Sequence, residues 1–326
     1  MIESHIIGTG SYLPEKILTN NDLASMVDTN DEWIVSRTGI KQRHIAGENE
    51  LNADMAYQAA QKAIESAHIQ AQDISMIIVA TTTPDYTFPS VAACVQAKLG
   101  AKCPAFDMQA VCSGFVYAMS TAHQFIQSGS MKHILVIGSE KMSSILDWKD
   151  RRTCILFGDG AGAVVLGAKP NIDASVSNTP HRGILSSYLM AQGQHKDILY
   201  ADGGVASTQS AGVIHMNGQE VFKHAVTKMS AAINQALKKA GLTKDAIDWL
   251  VPHQANQRII DSLGKKMKLE SDRVISCVAN HANTSAASIP LALDYAAQSS
   301  QFKEGDLLCF VAIGGGLTWG ACLLRW

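Results

Sequence analysis

Apolar positions alternate between helical and strand spacing along the whole chain, which predicts α/β layering. Ala56, Ala59, Ala60, Ala63, Ile64 and Ala67 fall on one helical face, and the apolar run at 74–80 is short enough for a buried strand. Ala232, Ile233, Ala236, Leu237 and Ala240 line a second helix that Gly241 ends, and residues 246–251 lead into Pro252-His253. Setting Ala63 on Ala236 also sets Ala59 on Ala232, Ala60 on Ile233, Ile64 on Leu237, Ala67 on Ala240 and Ile74 on Ile247. Within about one residue the same register brings Val111-Cys112-Ser113 onto Asn283-Thr284-Ser285 and the strand at 133–138 near 307–311. Chance matching of alanine-rich helices is the alternative. An internal duplication is the expectation, with halves at 1–170 and 171–326. Residues 169–215, with Pro170, Pro180 and Ala201-Asp202-Gly203-Gly204, predict loops and short strands near a mouth.

Composition narrows the class. Hydrophobic residues make up 47% of the 326 and charged residues 17%, so a sizeable core is expected and intrinsic disorder is excluded. Lysine and arginine total 27 against 29 acids, for a net charge of −2, without the basic excess of a dedicated nucleic-acid binder. The first ten residues lack a basic segment ahead of their short apolar stretch, and no run reaches ~18 apolar residues; a cytoplasmic location away from membranes is expected. The seven cysteines show no C-x-x-C pair and no zinc spacing, so neither a disulfide framework nor a metal is expected.

Cys112 stands at a strand-to-helix turn. Residues 105–108 form a short strand before it, and Phe115, Ala118, Met119, Ala122, Phe125 and Ile126 keep helical spacing after it, until Gly129. Free N–H groups at a helix start favour a thiolate, so a lowered pKa is expected, against the alternative of a buried structural cysteine. His253 follows a buried strand whose ladder Pro252 ends, and the duplication sets it opposite Ala80. A satisfied structural histidine is the alternative there. Asn283 lies in a polar turn before a small-residue helix, in the second-half place that Cys112 holds in the first; an ordinary N-cap is its alternative. Convergence of the three about a pseudo-two-fold axis would join a thiol nucleophile to two neutral donors, suited to thioester acyl transfer. Gly158-Asp159-Gly160-Ala161-Gly162 precedes a strand, whereas a dinucleotide fingerprint follows one, and Gly314-Gly315-Gly316 lacks a P-loop lysine. The latter suits close backbone approach, with N–H groups available to an oxyanion.

Seven segments in order support a resemblance: Gly8-Thr9-Gly10-Ser11-Tyr12-Leu13-Pro14, Asp31-Glu32-Trp33-Ile34-Val35-Ser36-Arg37-Thr38-Gly39-Ile40, Cys112-Ser113-Gly114-Phe115, Phe157-Gly158-Asp159-Gly160-Ala161-Gly162, His253-Gln254-Ala255-Asn256, Asn283-Thr284-Ser285-Ala286-Ala287-Ser288 and Gly314-Gly315-Gly316-Leu317-Thr318-Trp319-Gly320. From end to end the chain resembles the β-ketoacyl-acyl-carrier-protein synthase III family. The resemblance implies a thiolase-like α/β fold, with duplicated βαβαβαββ halves in a five-layer αβαβα sandwich, and a homodimer. It implies a catalytic triad of Cys112, His253 and Asn283 and an oxyanion hole from the N–H groups of Cys112 and Gly315. Trp33 and Arg151 would sandwich the adenine of coenzyme A, Arg37 and Asn256 would line the pantetheine tunnel, and Phe157 and Phe222 would contact substrate. Phe88 would cross the dimer interface and close the partner's acyl pocket. Lys223, Arg258, Lys265 and Lys266 would dock the acidic carrier protein, a solvated helix face being the alternative. Val111 and Ser113 around the cysteine, Asn280 and Ala282 before Asn283, and Trp148 and Arg152 beside the adenine loop depart from many members.

The implied reaction condenses a short acyl-coenzyme A, acetyl-coenzyme A first, with malonyl carrier protein through an acyl-cysteine, without metal or redox cofactor. A degradative thiolase would place a second cysteine at 312, which is alanine here. The alternatives are a related synthase with a specialised starter and a non-catalytic acyl-carrier binding protein.

Overall fold

The computed structural model describes residues 2–170 and 182–326, so Pro180 lies outside the described residues, and the expected boundary between halves falls where the description breaks off. The apolar runs form two mixed sheets. From edge to edge the first runs Ile2–Tyr12, Asp159–Pro170, His133–Lys141, Met76–Ala80 and Ala105–Met108; the last three are parallel and the rest antiparallel. The second runs Gly183–Ala191, Thr318–Arg325, Leu307–Gly314 and Trp249–Pro252, with the last two parallel. The orders correspond strand for strand, except that the second sheet reduces the outer fifth strand to a parallel bridge between Leu250 and Val274.

Alternation along each strand decides the layers. Ile78, Ile134 and Val136 of one sheet, and Leu308, Phe310 and Cys322 of the other, pack on the central helices Gly114–Gln127 and Ser288–Gln298. Ile77, Val79, Leu135 and Ile137 face the opposite way, onto Asn52–Ser66 and Val91–Leu99. Leu250, Cys309 and Val311 face Gly218–Ala240 and Gln257–Met267. The result is the expected five-layer αβαβα sandwich. Phe115 and Met119 are fully buried between the sheets, where truncation to alanine costs about 2–5 kcal/mol.

One expectation is met only in part. Gly183–Ala191, in the region read as loops and short strands, is a nine-residue strand of the second sheet. Ser186 and Ser187 break its apolar pattern, yet Ser186 Oγ donates to Ala236 O at 2.7 Å and Ser187 Oγ bonds Ser120 Oγ at 2.6 Å. Polar side chains are thus satisfied across layers, a partnering that local pattern does not encode. The short strands Leu199–Ala201 and Ile214–Met216 match the expectation for their region.

Candidate active site

Cys112 lies in the three-residue turn Val111–Ser113 at the start of Gly114–Gln127, and Val111 holds a left-handed φ of +49°. Ser113 Oγ and Thr318 Oγ1 both donate to Ala110 O at 2.8 Å, which pins the turn to the Thr318–Arg325 strand. Gly314 closes against it: a Cβ there would stand 2.7 Å from Cys112 N, so no larger residue fits. Gly315, the expected oxyanion donor, packs on Leu199 O.

Cys112 is only 4% exposed. Burial pushes its pKa up to about 12, assisted by the charge of Glu140 and opposed by the Ser285 hydroxyl. This overturns the expected lowering: desolvation of the anion exceeds what the helix start supplies. Glu140 itself is fully buried; the hydroxyls of Thr81 and Thr83 donate to it at 3.2 and 2.6 Å and the Thr82 N–H at 3.0 Å, while burial holds its pKa up. Sequence reasoning passed over Glu140, although a lone acid near the end of an apolar strand was a usable signal.

His253 emerges from the end of Trp249–Pro252, its N–H donating to Val311 O at 2.8 Å. Its ring is 2% exposed, and burial pushes its pKa down to about 3, so the imidazole is neutral in ordinary buffers. Nδ1 lies 2.6 Å from Ser288 Oγ. The Asn283 backbone bridges to the strand-like segment at 156–158, donating to Leu156 O at 2.9 Å and accepting from Gly158 N–H at 3.1 Å. Its side-chain Oδ1 accepts from Ser285 N–H at 2.9 Å, which leaves the amide NH2 to donate elsewhere.

One short segment, 283–288, therefore meets every member of the expected triad: it contains Asn283, its turn Ser285–Ala287 packs against the Val111–Ser113 turn of Cys112, and its Ser288 bonds His253. The register differs from expectation. The turn matching Val111–Ser113 is Ser285–Ala287, so Ala286 holds the place of Cys112, and Asn283 stands ahead of the turn.

A cavity of about 930 Å³ is lined by Trp33, Arg37, Arg152, Leu156, Phe222, Asn256 and Arg258 among others. The Asn30 cap accepts from Trp33 N–H at 2.8 Å and starts Asp31–Thr38, which sets Trp33 and Arg37 one turn apart. Asn256 caps Gln257–Met267 through Ile259 N–H at 3.0 Å, and Arg258 lies over the Phe222 ring at 5.8 Å. Buried Arg43 donates to Ile155 O at 2.9 Å and braces the cavity wall. Phe157 is buried beside Asn283 and does not line the cavity.

The expected adenine sandwich leaves no gap for a ring. Arg151 sits 5.1 Å from the Trp33 ring centroid and donates to Asp28 O at 2.7 Å, whereas an intervening ring needs two contact gaps, roughly 7 Å. Arg37 stands 4.5 Å from the same ring, and Arg152 lines the cavity in place of Arg151. Phe88 is 83% exposed, away from the core. Lys223 lies 3.8 Å from Glu220, and Lys265 and Lys266 are exposed in the last turn of their helix.

Residues 106–193 match the family model of 3-oxoacyl-[acyl-carrier-protein] synthase III, and residues 237–326 match that of its C-terminal part. A β-ketoacyl-[acyl-carrier-protein] synthase III of Rhizorhabdus wittichii is 55% identical over 98% of both chains. The chain belongs to the 3-oxoacyl-[acyl-carrier-protein] synthase III family. A second synthase III, from Rhodospirillum centenum, is 52% identical over 100% of this chain and 99% of its own. The crystal structure of the Aquifex aeolicus synthase III superposes with a TM-score of 0.92 at 46% identity, over 99% of this chain and 100% of that one. The five-layer architecture is thus the thiolase fold of these condensing enzymes. Among the described residues, no three His, Cys, Asp or Glu side chains gather to hold a metal ion, and no helix is long and apolar enough to cross a membrane.

Proposed function

We propose that this synthase III performs a decarboxylating Claisen condensation of a short acyl-coenzyme A with malonyl carrier protein, the step that begins fatty acid synthesis. The observation that carries the reading is the 283–288 segment, which contains Asn283, bonds His253 through Ser288 and packs its Ser285–Ala287 turn on the turn of Cys112. Cys112 attacks the acyl thioester, the oxyanion is held by the N–H groups of Cys112 and Gly315, and the thiol proton leaves with coenzyme A. Malonyl carrier protein then enters, and His253 and Asn283 donate to its thioester oxygen while carbon dioxide departs. The enolate attacks the acyl-Cys112 carbonyl, and the thiolate released takes up a proton. A histidine pushed down to about 3 suits a neutral donor and makes a poor base.

Coenzyme A occupies the cavity at Trp33, Arg37, Arg152, Phe222 and Asn256, after Arg151 swings off Trp33. Lys223, Arg258, Lys265 and Lys266 dock the carrier protein at its rim. The working form is a cytoplasmic homodimer of the two-half chain, divided near 170. The half-buried edge strand Ala105–Met108 and exposed Tyr86 and Phe88 support pairing of two copies, with Phe88 closing the partner's acyl pocket in favour of acetyl.

Incubation with acetyl-, butyryl- and octanoyl-coenzyme A, followed by intact mass, should add one acyl group, fastest for acetyl. Later addition of malonyl carrier protein should release carbon dioxide and clear the label. Protein that never takes up an acyl group would refute the reading, and preference for octanoyl would refute the starter.

A further inference from the structure

We propose that Ser288 is a positioning residue that sets the tautomer of His253: its hydroxyl donates to Nδ1, so that the single ring N–H is the one on Nε2. The inference rests on the reading of His253 as a hydrogen-bond donor and adds what makes it one. Ser288 Oγ lies 2.6 Å from Nδ1, and both side chains are buried, at 1% and 2% exposure. A hydroxyl has one hydrogen and two lone pairs. Among the described residues Ser288 Oγ has two partners: Nδ1, and the Gln254 N–H, which donates to it at 3.3 Å. If Nδ1–H also donated to Oγ, the hydroxyl hydrogen would be left with no acceptor in a site closed to water. With the hydroxyl donating to Nδ1, the hydroxyl, Nδ1 and the Gln254 N–H are all satisfied.

The Gln254 N–H is itself held in place. The Gln254 side chain is fully buried, donating to Pro252 O at 2.7 Å and accepting from Cys277 N–H at 2.8 Å. Ser288 opens the helix Ser288–Gln298, so the direction of the hydroxyl is set by elements that do not themselves touch substrate. Nε2 has no partner among the described residues, which leaves its hydrogen for a thioester oxygen.

Nitrogen NMR of the full-length protein labelled with 15N-histidine tests this directly, the His253 signals being assigned by their absence in His253→Asn. The expected wild-type spectrum at neutral pH has an unprotonated Nδ1 and a protonated Nε2; a protonated Nδ1 would overturn the proposal without any variant. In Ser288→Ala the tautomers should mix. Carbon dioxide release from malonyl carrier protein should then fall at least tenfold, short of the roughly 10⁴-fold cost of enforcing a wrong tautomer. Self-acylation by acetyl-coenzyme A should stay within about twofold, since Cys112 is untouched by the change. An unchanged tautomer and unchanged carbon dioxide release in Ser288→Ala, with His253→Ala impaired, would sink the role of Ser288 alone. Intact decarboxylation in His253→Ala would sink the underlying reading instead.

Discussion

Val111 and Ser285 share a φ of +49°, each opening a three-residue turn, Val111–Ser113 and Ser285–Ala287, that runs into a central helix. The first turn carries a thiol at its second position and the second carries a methyl group, Ala286. Gly114 then occupies the place of Ser288, and Ala80 ends the strand where His253 ends its counterpart. A Cβ on Gly114 would stand 3.1 Å from the Ala80 Cβ, at the contact where Ser288 bonds His253 in the other half. One backbone device thus serves two purposes. The first half sets small residues, Gly114 and Ala80, at these two positions beside Cys112, and the second loads the matching positions with the hydrogen-bonding groups of Ser288 and His253. Desolvation around the thiol raises its pKa, while the other side carries the donors proposed for an oxygen that gains charge.

The strongest way to break this comparison is to move the thiol across. Cys112→Ala should lower self-acylation by roughly 10⁵–10⁶-fold, as loss of a nucleophile does elsewhere, and adding Ala286→Cys should not restore it. Intact mass after acetyl-coenzyme A checks both, and labelling at position 286 would show that the two turns are interchangeable.

Next in size is the division of labour. His253→Ala and Asn283→Ala should each lower decarboxylation by about 10²–10³-fold, the usual cost of losing one oxyanion donor, with acylation reduced less than about tenfold. Measuring carbon dioxide release and self-acylation separately decides it, because the opposite pattern would place the donors on the Cys112 half-reaction.

Phe88 belongs to the first half's loop at 81–90, which the Thr81 and Thr83 hydroxyls tie to Glu140. Phe88→Ala should shift the kcat/KM ratio of acetyl- to octanoyl-coenzyme A by roughly 10–200-fold. An unchanged ratio would mean that other residues end the pocket. Docking is assigned to the second half, so Lys265→Glu with Lys266→Glu should raise KM for malonyl carrier protein roughly tenfold at low salt. The KM for acetyl-coenzyme A should not change, and equal effects on both substrates would remove the carrier protein from this face.

The smallest effect is on stability. The folded pKa of His253, about 3, lies below the ~6.5 of an unfolded histidine, so between those values the unfolded chain binds a proton that the folded chain does not. Stability should fall as pH falls through that window, by ~1.4 kcal/mol per pH unit for one such group. His281, lowered to about 4 by burial, adds to the slope. Urea unfolding at several pH values should show a shallower slope in His253→Asn, and an unchanged slope would mean that the ring is charged in the folded state.

How much was legible follows the range of the forces involved. Helix Gly114–Gln127, strands Met76–Ala80 and Ala105–Met108, and the order of the motifs were readable because spacing of apolar side chains is a property of near neighbours. Cys112, His253 and Asn283 were readable as candidates from their places at turns and strand ends and from the duplication, and as a triad from the family resemblance. The register of the second turn was not readable, since a polar run that supplies Asn283, Ser285 and Ser288 presents several equivalent starts for a helix. The length of the Gly183–Ala191 strand and its place in the second sheet escaped because its serines are satisfied by Ala236 and Ser120, 50 and 67 positions away. The sign of the Cys112 shift depended on how completely two sheets and two helices exclude water from one sulfur, and the closing of Arg151 over Trp33 on an Asp28 far off in sequence. Local patterning settles which segments become layers and which residue types stand at their ends. Which ends meet, and how dry the meeting place is, depends on packing in three dimensions, because desolvation and hydrogen-bond partnering are summed over neighbours that local periodicity does not specify.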